Sequence, residues 1–240
     1  MADKADKVDQ VDEVAIASAL RALLDAGGDV DVDIFSGARA VFDAPMHPQE
    51  RVLVHSVVDR VRRQTATGRL LLREVLRTMG VAPGPILRTT GGRPALPIGI
   101  VASLAHDDDV AVCVAALVPR TGVNLALGVD VEPALPLPAE ILDDVVISPG
   151  DRAAVSVDGV VDPVRARLLF CVKEAVYKAC FPLDGVFLEF ADVAVVEGTL
   201  PGRVEATTRT GWRVTVTTTS KPVLLACARV RLGQPAASFP

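Results

Sequence analysis

Three observations predict an α+β fold for this 240-residue chain. Helical and strand patterns are segregated along it rather than alternating, which disfavours a doubly wound parallel sheet. Half of the residues are hydrophobic, enough to bury a sizeable core. An order of helix followed by antiparallel strands occurs twice, dividing the chain into an N-terminal half, 14–125, and a C-terminal half, 126–232.

The elements follow in order. Residues 1–13 are charge-dense and free of aromatics, and are expected to be a disordered tail. Apolar spacing begins with Val14, Leu20, Leu23 and Leu24. Pro48–Arg63 and Thr67–Met79 carry apolar residues three and four apart and are predicted as two helices, the second closed by Gly80. The Pro/Gly-dense stretch 81–99 forbids regular helix and predicts a shaped loop. Ile100–Val118 reads as a hairpin turning at His106–Asp109. In LALGVDVE, Leu125–Glu132, strict alternation puts Leu127, Val129 and Val131 on one face and Gly128, Asp130 and Glu132 on the other. A short helical patch near Ser148–Ala154 precedes a strong start signal, Asp162 as N-cap with Pro163 at N1. The helix it opens is predicted to run to about Cys180 and to stop at Pro182. VFLEFADVAVV, RVEATT, RVTVTTT and VLLACARVRL are predicted strands, and 233–240 a tail.

Composition narrows the functional classes. The longest apolar run, Val110–Val118, falls far short of the ~20 residues of a membrane span. The acidic, polar N-terminus lacks the apolar core of a signal peptide, and the four cysteines show neither CxxC spacing nor disulfide density. A cytoplasmic protein that does not engage a membrane is expected. A net charge of −5 argues against general nucleic-acid binding. Six arginines nevertheless crowd into 60–77 (Arg60, Arg62, Arg63, Arg69, Arg73 and Arg77). Arg69, Arg73 and Arg77 share one helix face, either as a solvated surface or as a site for phosphate.

Asp130 and Glu132 stand on one strand face with only Val131 between them. Like charges so close call for a cation, and Mg²⁺ is hard and oxygen-seeking, with Mn²⁺ equally suited to the ligands. Helical geometry sets Glu174 and Lys178 one turn apart beside the buried edge of their helix. An ordinary helix-stabilising pair and a third metal carboxylate remain alternatives on spacing alone.

GVDVEP (Gly128–Pro133) followed by FCVKEAVYKA (Phe170–Ala179) resembles the signature pair of the 4′-phosphopantetheinyl transferases of the Sfp/EntD type. GRPALPIGIVASLAH (Gly92–His106), ISPGDRA (Ile147–Ala153) and FPLDGVFLEFADVAV (Phe181–Val195) resemble further segments of that family, in the same order. The resemblance spans roughly Arg60 to Val196. It implies two similar α/β subdomains related by a pseudo-twofold, with coenzyme A as substrate and Mg²⁺ in the cleft between them. It assigns Asp130, Glu132 and Glu174 to the metal, and Glu174, Lys178 and Lys173 to catalysis. Arg69, Arg62, Arg93, His106 and Lys178 are assigned to coenzyme A. The implied partner is an acyl- or peptidyl-carrier protein of siderophore, polyketide or nonribosomal-peptide synthesis, and the implied state a monomer.

The chain departs from the family pattern at several places. Ala105 stands where a hydroxyl precedes the histidine, Leu96 where the family has Trp, and Gly91 where it has a basic residue. Gln64-Thr65 replaces Glu-Phe, and an acidic turn, Asp107–Asp109, follows His106. An active transferase is therefore weighed against a transferase-like protein that binds carrier protein or nucleotide without transferring the arm.

Overall fold

The structure, a computed structural model, describes residues 11–28, 32–118, 125–231 and Phe239. The expected tails therefore lie outside the described residues except at 11–13 and Phe239. There the first expectation is corrected, because the Asp12 carboxylate accepts from Ala15 N and caps a helix that begins at Glu13.

That helix, α1 (Glu13–Ala26), buries Ile16, Leu20, Leu23 and Leu24. β1 (Ile34–Ala40) was not legible as a strand, since IFSGARA lacks a polar/apolar alternation. The two helices predicted over Pro48–Arg63 and Thr67–Met79 are cut differently: a 3₁₀ turn covers Pro48–Val54, and α2 runs unbroken through Asp59–Thr78. The 3₁₀ turn forms because His47 and Glu50 close a capping box with Pro48 at its start. Gly80, at φ 75°, follows the end of α2.

β2 (Ile100–His106) and β3 (Val110–Leu117) form the expected hairpin, and β1 adds to β3, giving an antiparallel sheet in the order β1-β3-β2. β4 (Leu125–Glu132) opens a second part of the chain. After it come α3 (Leu142–Val145), α4 (Pro149–Val155) and a small hairpin of β5 (Ser156–Val157) with β6 (Val160–Val161). α5 (Pro163–Asp184) starts as predicted, with the Asp162 carboxylate accepting from Val164 N and Arg165 N. It does not stop at Pro182 but runs to Gly185, which caps it in the left-handed conformation. VFLEFADVAVV is likewise corrected: only β7 (Val193–Gly198) is strand, preceded by a 3₁₀ turn at Phe190–Asp192. β8 (Arg203–Thr208), β9 (Arg213–Thr219) and β10 (Leu224–Arg231) complete an antiparallel sheet in the order β4-β10-β9-β8-β7.

The alternation of β4 has a different outcome from a half-solvated strand. Leu127, Val129 and Val131 pack in one core with α1 residues and β3, while the opposite face lies under α5. Both faces are therefore buried, and Asp130 is 6% exposed. Gly128 makes this possible: a Cβ there would stand 1.9 Å from the Ala175 carbonyl oxygen and 2.9 Å from Ala179 N. Ala226 and Ala228, the β10 partners of Asp130 and Gly128, keep the neighbouring strand equally low. The two sheets meet where β2 passes beside β4, and Val129 N donates to Ser103 Oγ at 3.0 Å. α1 closes the junction from the other side, with Thr217 Oγ1 donating to Leu23 O. Among the described residues no helix is long and apolar enough to cross a membrane.

Gly128→Ala is expected to lower the unfolding free energy by about 2–3 kcal/mol, because helix backbone cannot yield as a flexible side chain would. Gly84→Ala, whose Cβ would meet open space, should be close to neutral. Urea denaturation of the two variants checks this, and an unchanged midpoint for Gly128→Ala would show that α5 can rise off the strand.

Candidate active site at the junction of the two sheets

A cavity of about 610 Å³ lies where β2 and β4 part. Its walls come from five places: Arg69 of α2, the segment 88–96, strand β2, the start of β4 at Leu125–Leu127, and the end of α5 from Tyr177 to Leu183. Segment 88–94 is a tight hairpin, with Thr89 N bonded to Arg93 O and an isolated bridge between Arg88 and Pro94. It reaches α5, where the Arg93 guanidinium lies 5.5 Å from the centre of the Phe181 ring.

One wall is cationic. Arg69, Arg88, Arg93, His106 and Lys178 all line the cavity. Arg69 is 5% exposed, its Nε is buried without a hydrogen-bond partner, and it makes no ion pair among the described residues. Burial, and after it the charge of Arg88, bring its pKa down to about 10. Such a guanidinium keeps its donors unspent, and an anionic group is the chemistry that would suit it. The imidazole of His106 is held below its ordinary value by withdrawal from water and then by Lys178. Arg62 does not belong to this wall: it pairs with Asp43 and Asp59 on the surface, so its assignment to coenzyme A is corrected. The acidic turn after His106 is internally satisfied. Asp107 Oδ1 accepts from Asp109 N and Val110 N, and Asp108 pairs with Arg60 and accepts from Gln64. Gln64, one of the departures from the family pattern, thus secures another.

Beside Lys178 lie the carboxylates. Its ammonium is 2.5 Å from Asp130 Oδ1. Burial is the largest single influence on Lys178 and works to lower it, but the charge and hydrogen bond of Asp130, joined by Glu174, together leave the lysine above its ordinary value. Asp130 Oδ2 is buried without a partner. Glu174, one turn before Lys178, is raised by burial and then by Asp130. Glu132 is raised to about 7 by burial and then by Asp130, and its Oε2 accepts from Arg167 Nη1 at 3.1 Å. Asp130 therefore repels both Glu132 and Glu174, and its orphaned oxygen is the kind of acceptor a hard cation would satisfy. Their donor chemistry fits a divalent ion. Among the described residues, however, no three acidic, histidine or cysteine side chains are gathered tightly enough to enclose one, since Lys178 and Arg167 already neutralise two of them.

Lys173 departs from expectation. It is 1% exposed, bonded to Asp151 Oδ2 at 2.8 Å and to Phe190 O at 2.9 Å, and absent from the cavity wall. On the helix it points away from Lys178, and Asp151 of α4 takes its charge. Its assignment to catalysis is corrected to a structural anchor. Asp151 also accepts from Val195 N, tying α4, α5 and β7 together. Sequence reasoning missed Phe181 and Tyr177 as cavity walls, because aromatics near a helix end read as core. It also missed Arg167, whose signal was its place on the same flank as Glu174.

The site and the two-sheet frame define a cleft with a cationic wall beside an acidic group, and the comparisons supply its family. Residues 49–116 match the model of the 4′-phosphopantetheinyl transferase N-terminal domain, and 126–228 that of the 4′-phosphopantetheinyl transferase superfamily. The chain belongs to this family. It is 36% identical over 148 residues to the 4′-phosphopantetheinyl transferase PptT of Mycobacterium tuberculosis, a match covering 62% of this chain and 63% of that protein. It is 34% identical to Npt of Nocardia iowensis over 64% of this chain and 67% of the relative. To Svp of Streptomyces mobaraensis it is 36% identical over 65% and 66% respectively. The match thus spans about two thirds of these relatives' length.

Lys173→Met is expected to cost about 3–5 kcal/mol of stability, since it strands Asp151 as an unpaired buried charge. Chemical denaturation measures it, and a loss under ~1 kcal/mol, the scale of a surface pair, would show that Lys173 is not an anchor.

Proposed function

We propose that this chain transfers the 4′-phosphopantetheine arm of coenzyme A to a serine of an acyl- or peptidyl-carrier protein, with Mg²⁺ or Mn²⁺, releasing 3′,5′-ADP. The observation that carries it is the partnerless buried Arg69 in a cavity that Lys178 also lines, with Lys178 paired to Asp130 and Asp130 acting electrostatically on Glu174. Coenzyme A is a polyanion with a long, less polar arm, and the cavity is cationic at one side and lined by Leu96, Ile100, Leu104 and Phe181 at another.

In this reading Arg69, with Arg88, Arg93 and His106, binds the phosphates of coenzyme A. Asp130, Glu132 and Glu174 would hold the divalent ion, whose contribution is to neutralise the diphosphate. Lys178, on the cavity wall, offsets charge on the departing phosphate oxygen. Glu174, half-buried beside it, takes the proton of the attacking serine. Phosphoryl transfer asks mainly for such positioning and charge stabilisation. The acidic turn after His106 supports the active reading over a protein that only binds, because two of its carboxylates are engaged, Asp107 with backbone amides and Asp108 with Arg60 and Gln64. Four buried free cysteines support a reducing, cytoplasmic setting. A carrier protein of siderophore, polyketide or nonribosomal-peptide assembly is the proposed acceptor.

Incubation with apo-carrier protein, coenzyme A and Mg²⁺ should add the phosphopantetheine mass to the carrier; no gain, with a control enzyme active, would defeat the proposal. Glu174→Gln should slow transfer by about 10²–10⁴-fold with the fold intact, and near-normal turnover would remove it as the base. Arg69→Ala should weaken 3′,5′-ADP binding by about 1.5–3 kcal/mol, read by calorimetry, and an unchanged affinity would place the phosphate elsewhere.

A further inference from the structure

Two arginines of α2 are buried one turn apart on the same face, Arg69 at 5% and Arg73 at 6% exposure. They have opposite fates, and one residue explains both. Glu50 is fully buried, and both of its carboxylate oxygens lie 2.5 Å from Arg73 Nη1. Arg73 spends its remaining reach on Pro45 O at 3.3 Å. Arg69 receives nothing of the kind and faces the cavity. Glu50 also accepts from Ile86 N at 2.8 Å, two residues before Arg88 and the hairpin that carries Arg93. A carboxylate buried at this depth is costly unless paired, and this one is paired with groups that frame the cationic wall.

We propose that Glu50 is the positioning residue of the phosphate wall. It sequesters Arg73 so that Arg69 alone is presented to the ligand, and it pins the root of the 88–94 hairpin through the Ile86 amide. This rests on the reading of the cavity as the coenzyme A site. It touches no ligand itself and acts through Arg73 and Ile86.

The sign of its effect separates this role from two others. A carboxylate acting only by its charge would repel an anion, so its neutralisation would tighten binding. A carboxylate needed only for folding would leave affinity unchanged in any folded variant. Positioning predicts weaker binding. Calorimetric titration of the full chain with coenzyme A, without metal or carrier, is the test, run where circular dichroism shows each variant folded. Glu50→Gln and Glu50→Asp should each bind about tenfold more weakly, the scale of one lost bond to a charged group. Asp151→Asn, which breaks the comparable buried pair in the other half, should bind as wild type does. Equal or tighter binding by a folded Glu50 variant would overturn the proposal.

Hydrogen exchange in the wild-type chain gives a second measurement that needs no variant. Coenzyme A should slow the Ile86 amide, held by Glu50, more than the Val195 amide, held in the same manner by Asp151. Equal slowing at both would be stabilisation of the whole fold and would count against Glu50. If the wild-type chain binds no coenzyme A, the cavity reading fails and this inference fails with it.

Discussion

The closeness of α5 to β4 sets the geometry of the whole site. A helix normally rides on a sheet at a distance fixed by the side chains between them. At Gly128 there is no side chain, and helix backbone comes within what would be clash distance of a Cβ. That approach lowers α5 onto the strand, so that Asp130, two residues along, meets Lys178 instead of water. Alanines at 226 and 228 do the same service on the adjacent strand. The acidic pair at the strand end is consequently built into the protein interior, which raises Glu132 and Glu174 and makes the site hungry for positive charge.

Buried ion pairs then divide the charged residues into two kinds. Arg73–Glu50 and Lys173–Asp151 are closed: each member is nearly or wholly buried, and each carboxylate also accepts backbone amides. They fix α2 and α5 against their surroundings. Lys178–Asp130 is open, with the lysine on the cavity wall and one aspartate oxygen unsatisfied. An unsatisfied buried acceptor beside a cavity is expensive for folding, and such expense is usually found where a ligand completes the site.

Much of this was legible in the residues. The start of α5 followed from Asp162-Pro163, the faces of β4 from its alternation, and the β2–β3 hairpin from its turn. These are local signals, in which capping or side-chain parity determines structure within a few positions. Arg62, Arg69, Arg93, His106 and Lys178 were named as one group on family resemblance, and the fold brings all of them but Arg62 to one cavity. Element ends were less legible: Pro182 sits inside the last turn of α5, which ends only at the left-handed Gly185, and α2 runs straight through the gap left between two predicted helices.

What sequence alone determined is therefore the kind of chemistry available, namely carboxylates on one strand face, a Glu–Lys turn and a row of arginines. Which charge faces the cavity was decided only by tertiary packing. Lys173 and Lys178 look equivalent in the motif, as do Arg69 and Arg73 on α2. One of each is held by a fully buried carboxylate brought from a distant part of the chain, Asp151 or Glu50, and the other lines the cavity. Spacing along a helix fixes only direction around its axis; whether an opposite charge waits in that direction depends on elements far away in the chain.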